Sequence, residues 1–433
     1  MEQAKKYRFR IMSAVMVLLL MDLNGCSGCN DSSGQENDAS VDAQDKQKDA
    51  SDADADSDAD SDSDTDIDTD TDTDTDSDTD AGCTGWCPPK GCARLYDFYD
   101  STAHTIRSSW SEDYVVWHVW EEEKSRIYVY NIGNGDLNVE YEIDSPLYSN
   151  KSFAATSTAG GKIFWNQPIL LNDGGVRYPG EIHEKSVGIS GIKRLTDNTW
   201  GEWCYTLRED VLYCWYEKTG EPTELRVLYA DSGQEKIISQ NINLNHTCID
   251  GDDHYVVFCE EDAQNRLKMM LYDEADGGPA AELGITDHVW VAIDDEKIYY
   301  SKIRDGASDL DIWVHDIKTG QSRAVISEPG KQWYADVDGK IMMYKHRDED
   351  TDTNPSHIYI HDIETGERRR FTPLYDMHNG LGIHGKYISF HHLGYNDAIN
   401  EYDPYFVYVC DLEEGGFVDS DGHLIPEDAG GRK

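Results

Sequence analysis

The feature that most limits the possible folds is an internal repeat between residues 110 and 392. In each copy, a turn containing Gly or Asp is followed by an apolar, aromatic-rich stretch. Seven copies are spaced 42 to 49 residues apart, and their central residues are Val115, Ile163, Leu212, Val256, Ile298, Ile341 and Ile388. A near-constant period of this length indicates repeated units that bury their faces against their neighbours.

A second signature follows most of these copies. Its clearest forms are Asp311–Gly320 and His357–Gly366, where alternating apolar residues lead into an Asp-x-x-Thr-Gly turn. Alternation of this kind is typical of a strand, and the turn closes a hairpin. Four antiparallel strands per unit, without helical periodicity, predict an all-β fold, a β-propeller. Seven four-stranded blades are favoured over six or eight, and stacked β-sandwiches are the competing arrangement.

The units containing Asp338–Ile341 and Ile358–Gly366 resemble the TolB-like propeller repeat of bacterial envelope proteins. The resemblance covers roughly residues 105–415 and is blurred at Asn166–Gly188. TolB proteins bind partners in the periplasm and carry a helical domain before their propeller, which has no recognisable counterpart in this sequence. The resemblance therefore implies the fold and an envelope location, and does not extend to the TolB role.

Residues 1–25 are predicted to be a lipoprotein signal peptide. Basic residues precede the apolar run Ile11–Met21, which is shorter than the roughly 20 residues that span a bilayer. Leu23–Cys26 resembles the bacterial lipobox, which implies cleavage before Cys26 and lipidation of its sulfur. We therefore expect a lipid-anchored protein of the bacterial cell envelope, on the periplasmic or surface face of the outer membrane. An uncleaved anchor helix is the alternative.

Residues 26–82 are predicted to form a disordered acidic tether. Asp occupies every second position from Asp52 to Asp80, and the formal net charge of the whole chain is −47. The segment has no apolar face whose burial would offset the entropy of ordering it. Calcium binding by paired carboxylates is the alternative, but Asp52–Asp80 lacks the glycine that turns a calcium loop around its ion.

A Cys-rich lead-in at residues 83–104 is expected to precede a propeller at 105–425, with a disordered tail at 426–433. The cysteine spacing predicts disulfides, which suit an exported protein. Two pairs flank equivalent repeat positions, and closing the ring brings both chain ends together, so one cysteine of the lead-in should bond one in the last unit. The expected pairs are Cys204–Cys214, Cys248–Cys259 and, as first choice for the seam, Cys92–Cys410, leaving Cys83 to pair with Cys87. Metal binding by the three lead-in cysteines is a weaker alternative.

Two groups of residues are candidate metal ligands. Asp348, Asp350 and Asp352 alternate in an acidic loop and resemble the oxygen ligands of a calcium loop, although its central glycine and closing glutamate are missing. His391 is the candidate transition-metal ligand among the histidines that crowd residues 346–392. A solvated acidic loop and scattered strand histidines are the favoured interpretations, and Ca²⁺ is the one cofactor suggested.

No catalytic residue is predicted, because the chain contains no nucleophile elbow, phosphate loop or zinc-protease motif. The acidic balance argues against a nucleic-acid partner, since phosphate binding needs a basic surface. The sequence therefore favours a lipid-anchored envelope propeller that acts as a ligand- or protein-binding scaffold for an envelope protein or carbohydrate. The alternative is a propeller enzyme, a metal-dependent lyase or hydrolase acting on extracellular polysaccharide.

Overall fold

The computed structural model describes residues 89–97, 104–120, 124–144, 156–170, 176–197, 201–208, 210–217, 222–242, 248–252, 254–264, 266–286, 288–303, 309–347, 356–372, 377–396 and 401–426. The predicted signal peptide, the tether, Cys83 and Cys87 lie outside these residues, as do Asp348, Asp350 and Asp352. Nowhere in the described ranges is there a helix with the length and apolar character needed to cross a membrane.

The described residues form 28 strands. The first five are β1 (Cys92–Asp97), β2 (His104–Trp110), β3 (Tyr114–Trp120), β4 (Lys124–Asn131) and β5 (Leu137–Asp144). There follow β6 (Thr156–Ala159), β7 (Lys162–Leu170), β8 (Val176–Ser186), β9 (Lys193–Arg194), β10 (Gly201–Arg208), β11 (Val211–Glu217), β12 (Glu224–Tyr229) and β13 (Gln234–Ser239). Next are β14 (Ile249–Gly251), β15 (Tyr255–Glu261), β16 (Leu267–Asp273), β17 (Ala281–Thr286), β18 (His288–Asp294), β19 (Lys297–Ile303), β20 (Leu310–Asp316) and β21 (Gln321–Ile326). The last seven are β22 (Lys331–Asp338), β23 (Ile341–Arg347), β24 (His357–Asp362), β25 (Arg368–Arg370), β26 (Met377–His384), β27 (Tyr387–Asn396) and β28 (Glu401–Asp411).

Hydrogen bonding groups these strands into six sheets. β2–β5, β6–β9, β10–β13 and β14–β17 each form a four-stranded antiparallel sheet, and β1 joins β26–β28 in a fifth. The strands β18–β25 form one eight-stranded sheet, because Leu310 of β20 pairs in parallel with Lys331 of β22. The prediction of seven separate four-stranded sheets is therefore corrected, since this parallel contact leaves only five such sheets.

The sheets are arranged as a β-propeller. First strands of successive groups lie side by side, so that β6 neighbours both β2 and β10, β18 neighbours both β14 and β22, and β26 neighbours both β22 and β2. Buried apolar side chains fill the spaces between facing sheets. Tyr213 and Trp215 of the β10–β13 sheet, for example, pack with Phe258 of the β14–β17 sheet. The all-β propeller prediction is thus confirmed.

The two ends of the described chain meet at one seam. β1 pairs antiparallel with β28, so an N-terminal strand completes a sheet built from the last three strands. Cys92 lies directly opposite Cys410 in this pairing, and a disulfide joins them with 3.9 Å between their Cα atoms. The seam is therefore closed by both backbone hydrogen bonds and a covalent bond.

Two further disulfides cross hairpins, at the positions the cysteine spacing indicates. Cys204 and Cys214 are register partners on β10 and β11, with Cα atoms 4.0 Å apart. Cys248 and Cys259 are joined across the start of the β14–β15 hairpin, where the Cys259 amide also donates to the Cys248 carbonyl.

Buried polar side chains tie the first strand of several groups, here called the inner strand, to the inner strand of the next group. Three of them occupy equivalent register positions and accept a backbone amide from the neighbouring inner strand. The pairs are Ser109 with Thr158 at 3.3 Å, Asp250 with Ile293 at 2.8 Å, and Asp336 with Ile383 at 3.0 Å. Burying an amide without a hydrogen-bond acceptor costs free energy. These bonds therefore fix the position of each of these inner strands relative to the inner strand of the adjacent sheet.

The Asp-x-x-Thr-Gly signature forms the turn at the end of a sheet's third strand. Oδ1 of Asp362 accepts the amides of Glu364 and Thr365, and Oδ1 of Asp316 accepts the Thr319 amide. Gly366 closes its turn with φ +76°, a left-handed conformation that favours glycine. The repeated Asp and Gly are therefore explained by the turn geometry.

The residues after β28 pack back onto the propeller. Phe417, Val418 and Leu424 are buried in the apolar cluster between β22–β25 and β26–β28. Beside them Nδ1 of His423 lies 2.9 Å from Oδ2 of Asp362, and Nζ of Lys340 lies 2.8 Å from Nε2 of His423. Since an ammonium only donates, Nε2 accepts and Nδ1 carries the proton that bonds the buried carboxylate.

Candidate functional site

One recurring hydrogen bond places residues of different sheets in a common register. At seven places an amide following a third strand donates, at 2.8 to 3.0 Å, to a carbonyl in the turn between the first two strands. These carbonyls belong to Asp113, Gly161, Asp210, His254, Glu296, Lys340 and Lys386. In six of the seven units, the predicted repeat centre lies two residues after the residue that supplies this carbonyl. In the remaining unit that position is occupied by Met342 and not by the predicted Ile341. The prediction was one residue early, because Ile341 pairs with Asp338 just as Lys297 pairs with Asp294.

The residue five positions after each carbonyl-bearing residue occupies an equivalent place in every sheet. In several sheets it is a buried polar residue. Four of these polar residues are 0 to 3 % exposed, namely His118, Asn166, Ser301 and Lys345. We refer to these four as the polar arc. The other sheets carry Trp215, Cys259 and His391 at this position, and the His391 side chain lies outside the described part of the chain. Polar residues therefore occupy this position in neighbouring sheets. They are replaced by Trp215 and Cys259 in the two sheets whose hairpins carry the Cys204–Cys214 and Cys248–Cys259 disulfides.

The polar arc points into the spaces between sheets. Val116 packs with Ile163 of the next sheet, and Met343 packs with Phe390 of the next sheet. Residues two apart on a strand share a face. His118 therefore points toward the β6–β9 sheet, and Lys345 points toward the sheet that contains β26.

Lys345 is the most unusual member of the arc. Its register partners are Trp333 on β22 and Ile358 on β24, so an amine sits between an indole-bearing and an aliphatic neighbour. Burial, reinforced by the charge of Arg347, lowers the pKa of Lys345 to about 7. Arg347 itself lies over the Trp333 ring, 5.3 Å from its centroid. A lysine that titrates near neutrality is a common feature of functional sites, although buried structural lysines also occur.

The opposite face of β23 and β24 carries an aromatic and charged cluster. The rings of Tyr344 and Tyr359 stack at 5.6 Å, and His346 lies 5.5 Å from Tyr359. Arg368 pairs with Glu328 and lies over the Tyr359 ring at 5.5 Å. Burial raises the pKa of Tyr344, which keeps its phenol protonated. The cluster has a buried aromatic floor and a half-exposed ion pair at its rim.

Two further histidines share that face. Arg370 Nη2 lies 2.9 Å from Nδ1 of His357, and it also bonds the Thr372 carbonyl through Nε. His361 is buried, and burial lowers its pKa, so its imidazole is neutral at physiological pH. These contacts hold β25 against β24.

The histidines that are frequent between residues 346 and 392 do not form one group in the structure. His346, His357 and His361 share one face of β23–β24, whereas His384 lies 3.3 Å from a carboxylate oxygen of Asp338. His391 pairs with Asn379, and His392 pairs with His378, on neighbouring rungs of β26–β27. Within the described residues, no three His, Cys, Asp or Glu side chains are placed to hold a metal ion. Neither His391's side chain nor the acidic loop at 348–352 falls among the residues searched.

Sequence reasoning missed the polar arc. Successive members are 44 to 135 residues apart along the chain, and no local motif surrounds them. The signal was nevertheless present in the repeat, since the third residue after Val115, Ile163 and Ile298 is polar within an apolar stretch. Comparing copies position by position would have found it, whereas counting histidines did not.

No known protein family matches the chain, and no curated protein matches it. Solved structures do. The β-propeller domain of the Trilobed protease from Pyrococcus furiosus has 11 % identity and a TM-score of 0.51, covering 71 % of this chain and 94 % of that one. Oligogalacturonate lyase from Vibrio parahaemolyticus has 11 % identity and a TM-score of 0.50, covering 77 % and 100 %. A prolyl endopeptidase has 12 % identity and a TM-score of 0.50, covering 71 % and 47 %, so the chain spans about half the length of that enzyme.

These similarities show the propeller fold alone, because the identities are so low. The Pyrococcus domain is described as having an open velcro topology, whereas here β1 pairs with β28 across the seam. A TolB protein from Agrobacterium tumefaciens is also similar, at 12 % identity and a TM-score of 0.41, over 66 % of this chain and 98 % of that one. TolB proteins are thus among the structural neighbours, as the repeat resemblance implies, but at this score the likeness supports no functional argument.

Proposed function

We propose that this protein is a lipid-anchored cell-envelope propeller of seven blades that acts as a ligand- or protein-binding scaffold. The observation that carries the proposal is the covalently closed ring. β1 and β28 join the chain ends, Cys92–Cys410 locks them, and buried side chains such as Asp250 tie successive sheets together. A rigid ring of this kind supports loops that can carry a binding surface.

The blade number rests on the recurring turn hydrogen bond, which is present seven times. The eight-stranded sheet contains two of these turns, and among the described residues Leu310–Lys331 is the only strand pairing between β18–β21 and β22–β25. We therefore count that sheet as two blades. An experimental structure with six or eight blades would overturn this count.

An envelope location is supported by the three disulfides among the described residues, because such bonds persist in oxidising compartments. The proposed anchor is a lipid on Cys26 in the outer membrane, and the acidic tether over residues 26–82 holds the propeller away from that membrane. The test is detergent-phase partition and fatty-acid labelling of the whole chain. Cys26→Ser should move the protein to the aqueous phase and abolish labelling, and Cys29→Ser is the matched control that should change neither. Labelling that survives Cys26→Ser would refute the anchor.

The binding function is tested by site-specific photo-crosslinking in the envelope of the producing cell. Thr353 lies in the connection between β23 and β24, at the opposite end of the strands from the turn that contains Asp276. A crosslinker at Thr353 should give one adduct of defined mass, and the same crosslinker at Asp276 should give none. Absence of adducts from both positions, and from the other connections at the Thr353 end, would favour a structural surface protein instead.

The alternative function is a metal-dependent lyase or hydrolase acting on extracellular polysaccharide. The feature that favours it is the placing of His378, His391 and His392 on two neighbouring rungs of β26–β27. Asp348, Asp350 and Asp352 remain proposed Ca²⁺ ligands. Stoichiometric metal in the purified protein, lost with His391→Ala together with polysaccharide cleavage, would establish the enzyme. Full metal content and cleavage in His391→Ala would exclude His391 from the site.

A further inference from the structure

Most of the exposed apolar side chains among the described residues lie on β5 and in the turn after β8. Six large hydrophobic residues are exposed among the described ones, and four of them lie on β5 or in the turn after β8. They are Leu137, Val139, Ile189 and Ile192, which are 38 to 62 % exposed. Scattered exposed apolar residues are ordinary, but Leu137 and Val139 lie two apart on one strand and therefore form an adjacent pair on one face.

Specific contacts hold the two segments together. Lys185 of β8 forms an ion pair with Glu140 of β5, and both side chains are about nine-tenths buried. The Gly188 amide donates to the other oxygen of Glu140 at 3.2 Å. Val187 packs with Tyr141 in the cluster shared by the two sheets. The turn that carries Ile189 is therefore fastened beside β5.

β5 differs from the other outer strands of the described sheets. At eight residues it is the longest of them. β9 is two exposed basic residues, β25 is three arginines, and β21 exposes polar residues along most of its length. Short length and positive charge are the means by which edge strands avoid pairing with other chains. β5 is neither short nor basic, and its one irregularity falls between Val139 and Tyr141, beyond the regular stretch that contains Leu137 and Val139.

The outer edge of β5 presents main-chain hydrogen-bonding groups. The Asn131 amide donates to the Asp136 carbonyl, which makes these two residues a hydrogen-bonded pair. Alternation along the ladder then directs the N–H and C=O of Leu137 and Val139 away from β4. Among the described strands β5 pairs only with β4. An extended segment can therefore bond at both residues.

The charges around β5 indicate what such a segment would carry. Glu142 is paired with Lys124 and Arg126, and Glu140 with Lys185, so the middle of the strand is locally neutral. At the start of the strand Asp136 is exposed, and Glu112 and Asp113 are exposed in the β2–β3 turn at the same end of the sheet. A segment with apolar residues at alternate positions and a basic residue beside this end matches both features.

We propose that β5 binds an extended segment of a partner polypeptide by β-strand addition, with apolar side chains against Leu137 and Val139 and a basic residue beside Asp136. This inference deepens the proposed binding function and rests on it. A second copy of the chain fits less well. β5 itself contains no basic residue, so antiparallel pairing of two copies would place no cation of the strand beside Asp136 of either copy.

The test uses the whole chain carrying Cys26→Ser and a fluorescent seven-residue peptide of alternating valine and threonine with a lysine at each end. Fluorescence polarisation measures binding, and hydrogen exchange reports the amides of Leu137 and Val139. We expect saturable binding and slower exchange at both amides. Val139→Pro removes one outward N–H without removing a β4–β5 bond and should weaken binding about tenfold. Ile237→Thr, at a 46 % exposed isoleucine on the outer strand β13, is the matched control and should leave affinity unchanged.

A second variant guards against misfolding of β5. Val139→Lys keeps the N–H but places a charge in the apolar patch, and it should also lose affinity for the lysine-ended peptide. Equal binding to folded Val139→Pro and wild type, or unchanged exchange at the two amides, would overturn the inference. So would dimerisation that Val139→Lys abolishes, because the occupant would then be a second copy. Crosslinks at Thr353 with an inert β5 would refute this inference and leave the proposed function standing.

Discussion

The Cys92–Cys410 disulfide should contribute more to stability than either hairpin disulfide. It closes a loop of 318 residues, whereas Cys204–Cys214 closes one of 10. In the chain-entropy description the stabilisation grows with the logarithm of loop length, which gives roughly 6 kcal/mol for the seam and roughly 3 kcal/mol for the hairpin. Both bonds join directly opposed residues with nearly equal Cα separations. The comparison therefore isolates loop length from local geometry.

The assay is urea unfolding without reductant, with each pair replaced by alanine to avoid leaving a free thiol. Cys92→Ala/Cys410→Ala should lower the free energy of unfolding about 3 kcal/mol more than Cys204→Ala/Cys214→Ala does. The seam variant should also release β1 to proteolysis first, because β1 pairs only with β28 among the described strands. Equal losses from the two double variants, with β1 still protected, would refute the view that the disulfide closes the ring.

Three further predictions concern buried polar groups. Asp250→Ala should cost about 1 to 3 kcal/mol, because it leaves the buried Ile293 amide without its acceptor; urea unfolding checks this, and an equal loss from exposed Asp276→Ala would contradict it. The lowered pKa of Lys345, about 7, means that the unfolded chain binds this proton more tightly. Wild-type stability relative to Lys345→Met should therefore rise by at most about 5 kcal/mol from about pH 7 to pH 10, and a flat difference would refute the burial of a titrating amine. Hydrogen bonds from Thr365 and His423 outweigh burial and lower the pKa of Asp362 to about 2, so its stabilisation is present above about pH 4. Measured against Asp362→Asn, about 2 kcal/mol of stability should be lost as the pH falls through 2, and an unchanged difference would contradict the bond to His423.

The sequence predicts the repeat better than the way the repeats join. The period follows from apolar residues such as Val115 and Ile298, because each must lie on a buried strand behind a tight turn. The register error at Ile341 arose because both Ile341 and Met342 are buried, so hydrophobicity alone cannot tell them apart. The merging of β18–β25 depends on one backbone contact between Leu310 and Lys331, which no side-chain pattern encodes.

The candidate site was harder to predict because its residues occupy the same position in different repeats and are far apart in the sequence. Histidine density pointed to residues 346–392, yet Tyr359, His346 and His357 there serve contacts between strands within one sheet. His118 stands alone in sequence, and only the register with Lys345 shows that both occupy one level of the ring. The face of the sheet on which a side chain lies depends on how many residues separate it from the turn. The position of that turn is known only from the backbone structure.

The acidic character of the propeller has two origins, and only one bears on partners. Carboxylates such as Asp316 and Asp411 accept amides within their own turns, and in each case those bonds lower the pKa. For Asp411 they do so against the effect of burial, and the Lys386 side chain also helps. Such residues are part of the turn, so their charge would be present whatever the protein binds. Asp136 is different, because it is exposed at the start of β5, which pairs only with β4 among the described strands. If β5 binds a basic segment, reversing the charge of Asp136 should lower affinity for the lysine-ended peptide, whereas removing an equally acidic turn residue such as Asp316 should lower stability and leave affinity for the peptide unchanged.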